Sequence, residues 1–326
     1  MNENIKSILD RCEGIGNLTI YDSFVKAYPK IDSKQRIVCS ISGGSDSDIM
    51  LDLLTKLDID KKIIYVFFDT GIEYEATKKH LEYLEQKYGI TINRFKAIKP
   101  VPLGCRKYGQ PFWGKFVSEM LERLQKHGFK WEDKPFNELI EEYPKCKVAL
   151  KWWCNLHGEK SKFNINYVRG LKEYIISRPP WFRISNKCCK GAKKDNAKVF
   201  LAENNADLNI VGIRKAEGGI RSAAYKNCFT AAKDGETYDN YRPIFWYTDK
   251  DKAEYKEAFN VKHSACYSEY GLCRTGCAGC PFGKDFEKEL EIIEKHEPKL
   301  YKAVNNIFGD SYEYTRGFME FRKNAP

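Results

Sequence analysis

The 326-residue chain predicts an α/β fold, a doubly wound, mostly parallel sheet with a helical insertion and a C-terminal Cys-rich and helical segment. Three observations predict it. An apolar stretch (Ile37, Val38, Cys39, Ile41) runs into Ser42-Gly43-Gly44-Ser45-Asp46-Ser47, and an apolar-periodic helix with Ile49, Leu53, Leu54 and Leu57 leaves it. Lys62 to Phe68 carries the continuous apolar run of a parallel strand covered on both faces, closed by Asp69-Thr70-Gly71. Leu208 to Ile213 repeats the buried-strand pattern and ends at Arg214.

Taken in order, residues 1–35 read as an N-terminal lead-in of helix and turns. The first strand and its glycine loop follow. A helix is expected from Glu75 to Tyr88, stopped by Gly89, and then a strand from Ile90 to Phe95. Residues 99–180 interrupt the alternation as a helical, basic and aromatic insertion. Its helices are expected at 112–127, 136–142 and Ile165 to Ile176, and Pro179-Pro180 closes it. Residues 36–98 and 181–283 make up the nucleotide-binding α/β domain with a cysteine cluster, including a helix over Ala197 to Asn204 and another starting at Thr248-Asp249. Residues 284–326 are C-terminal helices, with Phe286, Leu290, Ile293, Leu300, Val304, Ile307 and Phe308 on apolar faces.

The six residues Ser42 to Ser47 have the make-up of a phosphate cradle. Two glycines allow a sharp turn and close approach to a ligand, while the unpaired N–H groups and dipole of the new helix face an anion. The loop lacks the Gly-Lys-Ser/Thr closure of a Walker A motif. A Gly-Ser turn capped by Asp46 or Ser47 is the plainer alternative. Ligands of such sheets sit beyond the carboxyl ends of the strands, so Asp69 is expected beside the loop, accepting from a ribose hydroxyl or holding magnesium.

Composition narrows the class. No stretch approaches a membrane span, and Met1 to Lys6 does not begin a signal peptide, so a cytoplasmic protein without a membrane partner is expected. The net charge of +10 is concentrated: residues 145–198 hold fourteen Lys/Arg against three acids. Trp152, Trp153, Phe163, Tyr167, Tyr174, Trp181 and Phe182 are interleaved there, a composition that suits a nucleic acid partner. A solvated insertion whose aromatics form a satellite core is the competing account.

Twelve cysteines in a long chain point to metal or catalytic thiols before disulfides. Cys188 and Cys189 are adjacent, and 87 residues separate them from Cys277-Ala278-Gly279-Cys280. Thiolates are soft ligands suited to iron-sulfur centres, and a C-x-x-C offers two sulfurs to one metal edge. Cys266, Cys273, Cys277 and Cys280 form a rival local set that suits zinc. Cys12, Cys39, Cys105, Cys146, Cys154 and Cys228 read as small buried side chains. His157 and His263 carry no assignment.

Several motifs resemble one family. Ser42 to Ser47 resembles the SGGxDS loop of the PP-loop (adenine nucleotide alpha-hydrolase) superfamily, and Asp69-Thr70-Gly71 followed by Glu75-Ala76-Thr77 resembles the DTG motif of sulfonucleotide reductases. Gly212-Ile213-Arg214 with Glu217 and Arg221 resembles their arginine loop, although Gly218-Gly219 stands where the family usually has a serine. The CC-x87-CxxC spacing resembles assimilatory adenylyl-sulfate reductases. Together, residues 36–283 are similar to the phosphoadenylyl-sulfate (PAPS) reductase-like family, in its phage and bacterial branch.

The resemblance implies an enzyme of sulfur metabolism, a sulfonucleotide reductase-like oxidoreductase. Ser42, Gly43, Gly44, Ser45, Asp46, Ser47, Asp69, Thr70, Gly71, Arg214 and Arg221 would bind ATP, adenylyl sulfate or PAPS. Cys188, Cys189, Cys277 and Cys280 would hold a 4Fe-4S cluster, with a thiol or sulfur donor as partner. Reductases of this kind attack the nucleotide's sulfur with a cysteine from a C-terminal Glu-Cys-Gly-Leu motif. No cysteine follows Cys280 here, and Glu269-Tyr270-Gly271-Leu272-Cys273 is the nearest echo, which makes Cys273 the candidate nucleophile beside Lys193 and Arg214. Two other functions fit the same fold. One is a PP-loop ATP pyrophosphatase that adenylates tRNA or DNA for thiolation; the other is a nucleic-acid-binding module with a structural cluster. An oligomer is compatible with any of them.

Overall fold

The computed structural model describes residues 3–218, 224–233, 235, 237–282 and 285–324. In chain order, helices α1 (Glu3–Ile15) and α2 (Leu18–Asp32) precede β1 (Ile37–Ser40), α3 (Ser45–Leu57), β2 (Ile63–Asp69), α4 (Glu75–Tyr88) and β3 (Ile92–Lys96). Next come α5 (Val101–Tyr108), α6 (Lys115–Lys126), α7 (Phe136–Glu142), α8 (Lys147–Trp153), α9 (Leu171–Ser177) and α10 (Lys187–Cys189). A π turn, Lys190–Lys194, leads into α11 (Asp195–Glu203) and β4 (Leu208–Val211). Strands β5 (Phe229–Thr230) and β6 (Asp239–Tyr241) follow, then α12 (Asp249–Ala258), α13 (Ala265–Ser268), α14 (Phe286–His296) and α15 (Pro298–Asn324).

The chain divides into two compact units. Unit 1 takes Met1–Asp69, Glu73–Ala97 and Lys193–Gly276; unit 2 takes Thr70–Ile72, Ile98–Ala192 and Cys277–Pro326. The sheet lies in unit 1, in the order β3-β2-β1-β4-β6-β5, and is parallel throughout except for the β5–β6 pair. This is the doubly wound fold expected from the sequence. Alternation along the strands covers both faces: Ile37 and Cys39 pack in one core with Phe24, Leu53 and Leu54, while Val38 and Val66 face Phe200 and Leu201. Helix α4 ends where Gly89 takes the left-handed conformation, at φ +60° and ψ +41°.

Unit 2 is helical, and its core is aromatic. Trp152, Trp153, Tyr174 and Phe182 are buried with Phe112, Tyr314 and Phe318. Phe163, Tyr167 and Trp181 stay exposed. Four of the seven aromatics of the basic segment are therefore packing residues and three face solvent. The helix expected over Ile165 to Ile176 is split into a 3-10 turn, Ile165–Tyr167, and α9, because Gly170 sits between them at φ +75°. Among the described residues no helix is long and apolar enough to cross a membrane.

Candidate functional site

In unit 1, β1 pairs on one side with β2 (Ser40 opposite Val66) and on the other with β4 (Ser40 opposite Val211). Asp69 and Arg214 each lie three residues beyond those partners, so both stand at the carboxyl edge where Ser42–Ser47 leaves β1. Gly43 holds φ at +66°, and Gly44 is the N-cap of α3. A Cβ on Gly44 would come within 3.1 Å of Thr275 Oγ1 and 3.3 Å of both Ser42 Oγ and Tyr267 Oη. The loop is internally braced. Ser42 N donates to Ser47 Oγ (3.1 Å), Gly44 N to Ser42 Oγ (3.3 Å) and Ser45 N to Tyr267 Oη (3.0 Å), with Thr275 Oγ1 3.2 Å from that phenol.

Two cations converge on the loop. Lys252 donates to Ser45 Oγ (2.8 Å) and Asp46 Oδ1 (2.7 Å). Arg214, only 5% exposed, places Nε 3.0 Å from Asp46 Oδ1 and Nη2 2.9 Å from Asp249 Oδ1. Burial works against the guanidinium charge, but Asp46 and Asp249 outweigh it and raise the Arg214 pKa above its ordinary value. The buried Arg214 Nε still has no well-aligned hydrogen-bond acceptor among the described residues. The guanidinium charge beside the loop is suited to an anionic ligand oxygen.

One turn into α3, Asp48 is fully buried between two histidines, with His80 Nε2 3.1 Å from Oδ1 and His263 Nδ1 2.8 Å from Oδ2. The His263 ring lies 5.7 Å from that of Tyr267, the residue that braces the loop. The sequence assigned no site role to Lys252, Asp249, Tyr267 or Thr275, because each arrives from about two hundred residues downstream without a motif, Asp249 standing out only as a helix start. Cys273 is exposed, two residues before Thr275. Lys193 is exposed on the π turn, and Arg221 lies outside the described residues.

The cysteines predicted as ligands all belong to unit 2. None of the twelve cysteines is in a disulfide. Cys188 is buried on α10 with Cys189 beside it. Hydrogen bonding to Cys105, opposed by that to Cys189 and reinforced by burial and by Cys280, pushes the Cys188 thiol pKa up. Burial, together with the charges of Cys277, Cys189 and Glu289, pushes Cys280 up to about 12 against the opposing amide bond from Phe282. The Cys277–Cys280 loop turns at Gly279 (φ +61°), whose N–H donates to Glu289 Oε1 (3.0 Å) and whose carbonyl accepts from the Tyr312 hydroxyl. Thr70 Oγ1 lies 3.6 Å from Cys277 Sγ, and Ala278 N donates to Ile72 O (3.1 Å). The segment after Asp69 is thus tied to the C-x-x-C.

Among the described residues no three His, Cys, Asp or Glu side chains stand around one point at metal-ligating distance. The donor set is nonetheless of the right chemistry for an iron-sulfur cluster: four soft thiols, none in a disulfide, all carried by unit 2. In the rival set, Cys266 is buried in unit 1 with its sulfur 3.7 Å from Thr77 Oγ1.

Residues 36–128, which hold the phosphate loop, Asp69-Thr70-Gly71 and α5, match the phosphoadenosine phosphosulfate reductase domain. A curated relative, the uncharacterized protein MJ0066 of Methanocaldococcus jannaschii, is 26% identical over 304 residues. The match covers 89% of this chain and 45% of that relative, so the chain spans less than half of the relative's length. PAPS reductase from Candida auris, in its phosphate complex, aligns over 73% of this chain and 79% of its own at 11% identity, with a TM-score of 0.40. The U34-tRNA thiolase NcsA from Methanococcus maripaludis, with its 4Fe-4S cluster, aligns over 94% and 82% at 13% identity and a TM-score of 0.35.

Proposed function

We propose that this protein is an adenine-nucleotide enzyme of sulfur metabolism that acts on an adenylyl sulfate-type nucleotide. The observation that carries this reading is the loop Ser42–Ser47, with two glycines at its turn and Arg214 and Lys252 converging on its first helical residues. Loop amides and the α3 dipole would hold the nucleotide phosphate, and Asp69, with Gly71, would face the ribose. Arg214, Arg221 and Lys193 would bind the anionic far end. Thr70, hydrogen-bonded to Cys277, would serve the sulfur centre.

Cys188, Cys189, Cys277 and Cys280 would hold a 4Fe-4S cluster, which when bound supplies a redox-capable centre. Cys273 is the nucleophile of this reading. Its thiolate attacks the nucleotide's sulfur, an S–S bond forms, and the S–O bond to AMP breaks with AMP taking the electron pair. A donor thiolate then attacks the cysteine sulfur and releases sulfite, leaving a mixed disulfide that a second donor thiol reduces.

Calorimetry on anaerobically purified protein tests this with ATP and magnesium, adenylyl sulfate and PAPS side by side. A sulfonucleotide should bind best, and Arg214→Ala should weaken it at least tenfold. Preference for ATP would overturn the sulfonucleotide reading and favour a second one, adenylation of tRNA or DNA for thiolation. The observation behind that alternative is the exposure of Phe163, Tyr167 and Trp181 in a segment where Lys145, Lys147, Lys160, Lys162 and Arg169 are also exposed.

A further inference from the structure

Within unit 1 the amide of Ser45 already has a protein partner. Ser45 opens α3, so its N–H belongs to the set that a helix leaves for an anion, yet it donates to the phenol oxygen of Tyr267 at 3.0 Å. The phenol lies against the loop itself. A Cβ on Gly44 would stand 3.3 Å from Tyr267 Oη and 3.1 Å from Thr275 Oγ1, and the two hydroxyls are 3.2 Å apart. A phosphate oxygen that takes the Ser45 amide needs the place that Tyr267 Oη holds.

The start of α13 is pinned without using that oxygen. Its N-cap Ser264 accepts from Cys266 N (3.2 Å) and donates to Ala76 O of α4 (3.2 Å). The His263 ring lies 5.7 Å from the Tyr267 ring and places Nδ1 2.8 Å from Oδ2 of Asp48, a fully buried residue of α3. A turn about χ1 of Tyr267 therefore moves its oxygen off Ser45 while the backbone stays docked.

We propose that Tyr267 is a specificity-determining residue of the phosphate loop: its phenol oxygen competes with the incoming ligand for the Ser45 amide, which yields to an anionic oxygen and not to a neutral one. A phenol oxygen is a neutral acceptor. A phosphate oxygen makes a charge-assisted bond of roughly twice the strength. It also gains the field of Lys252, which donates to Ser45 Oγ (2.8 Å), and of Arg214, whose Nε is 3.0 Å from Asp46 Oδ1. An uncharged group gains neither and leaves the phenol in place. The apparent dissociation constant of an anion is then its intrinsic value divided by the fraction of molecules in which the amide is released.

The inference rests on the phosphate-binding role proposed above for the loop, and the test separates the two. Full-length wild type and Tyr267→Phe, which keeps the ring and removes only its oxygen, are titrated by calorimetry with adenylyl sulfate, inorganic pyrophosphate and adenosine. The variant should bind both anions about threefold to tenfold more tightly, the range of one neutral hydrogen bond, and adenosine with unchanged affinity. Weaker anion binding by Tyr267→Phe would make the phenol a ligand contact and overturn the competition. An equal change for all three ligands would mark a structural role, and unchanged anion affinities would likewise sink the proposal. Should phenylalanine disturb the fold, as thermal melts would report, Thr275→Val removes the phenol's other hydrogen-bond partner and should also tighten anion binding; weaker or unchanged binding there would count against the competition. Failure of wild type and variant alike to bind either anion would instead refute the phosphate loop itself.

Discussion

Gly43 combines two constraints that can be separated by mutation. Its φ of +66° costs a side chain roughly 1–2 kcal/mol, and a Cβ there would stand 2.7 Å from Thr77 Cγ2. Gly43→Ala should therefore lower the melting temperature and weaken nucleotide binding. Adding Thr77→Ser, which removes the opposing methyl, should restore only the steric part, and a double-mutant cycle of melting temperatures would show it. Full recovery would mean that φ is not the constraint. The thiols give a second prediction at this scale. The Cys280 pKa is raised from 9.0 to about 12, so its neutral form is favoured in the fold. The associated stability is complete below about pH 9 and is lost as pH climbs toward 12. Unloaded protein should weaken over that window, and Cys280→Ala should flatten the loss in a series of melts. Mild alkylation at pH 8 should label exposed Cys273 well before Cys188 and Cys280, as peptide mass spectrometry would report. The residues legible in the sequence were those set in short motifs: the loop, Asp69 and the cysteine pairs. Lys252 was not legible, because it meets Ser45 across 207 residues of chain and no local pattern marks it.

Helix α12 shows how one element serves the site. Its N-cap Thr248 accepts from Asp251 N (3.2 Å), while Asp251 Oδ2 accepts from Thr248 N (2.7 Å), a reciprocal capping box. That first turn presents Asp249 to Arg214 and Lys252 to Ser45 and Asp46. Thr248→Ala should cost about 1 kcal/mol of stability. It should also reduce nucleotide affinity, because the turn that aims Lys252 would fray. Thr248→Ser, which keeps the cap, should leave both unchanged; calorimetry and thermal melts check the pair. Elements with clear punctuation, such as α4 before Gly89 and the polar-flanked α7 at Phe136–Glu142, were readable in advance. Helix α8 was not, because its Trp152-Trp153 end looked like a nucleic-acid face until the core of unit 2 accounted for both rings. Helix α5 was not among the expected helices; Pro102 sits in its first turn, where proline is tolerated.

Over the whole molecule, the motifs that follow one another from residue 36 to 283 are shared out between two units. The phosphate loop, Asp69 and Arg214 fall in unit 1, and Thr70, Gly71 and the four cysteines in unit 2. The chain passes between the units immediately after Asp69, so one tripeptide contributes to both. The alternation of strand and helix made the sheet legible, but a partition that cuts a motif in two leaves no trace in composition. Charge follows the same division, since most of the basic stretch 145–198 lies in unit 2 with Phe163, Tyr167 and Trp181 exposed. If that surface takes a single-stranded nucleic acid, each lysine that neutralises a phosphate contributes about 0.7 to the slope of log K against log salt. Lys160 and Lys162 are both exposed and precede Phe163. Reversing both to Glu should make the slope shallower by about 1.4, and Phe163→Ala should instead lower affinity at every salt concentration without changing the slope. Fluorescence anisotropy with a labelled oligonucleotide from low to moderate salt separates these outcomes. A slope untouched by the double reversal would leave the surface as solvated packing, and the sulfonucleotide reading would then stand without a nucleic-acid rival.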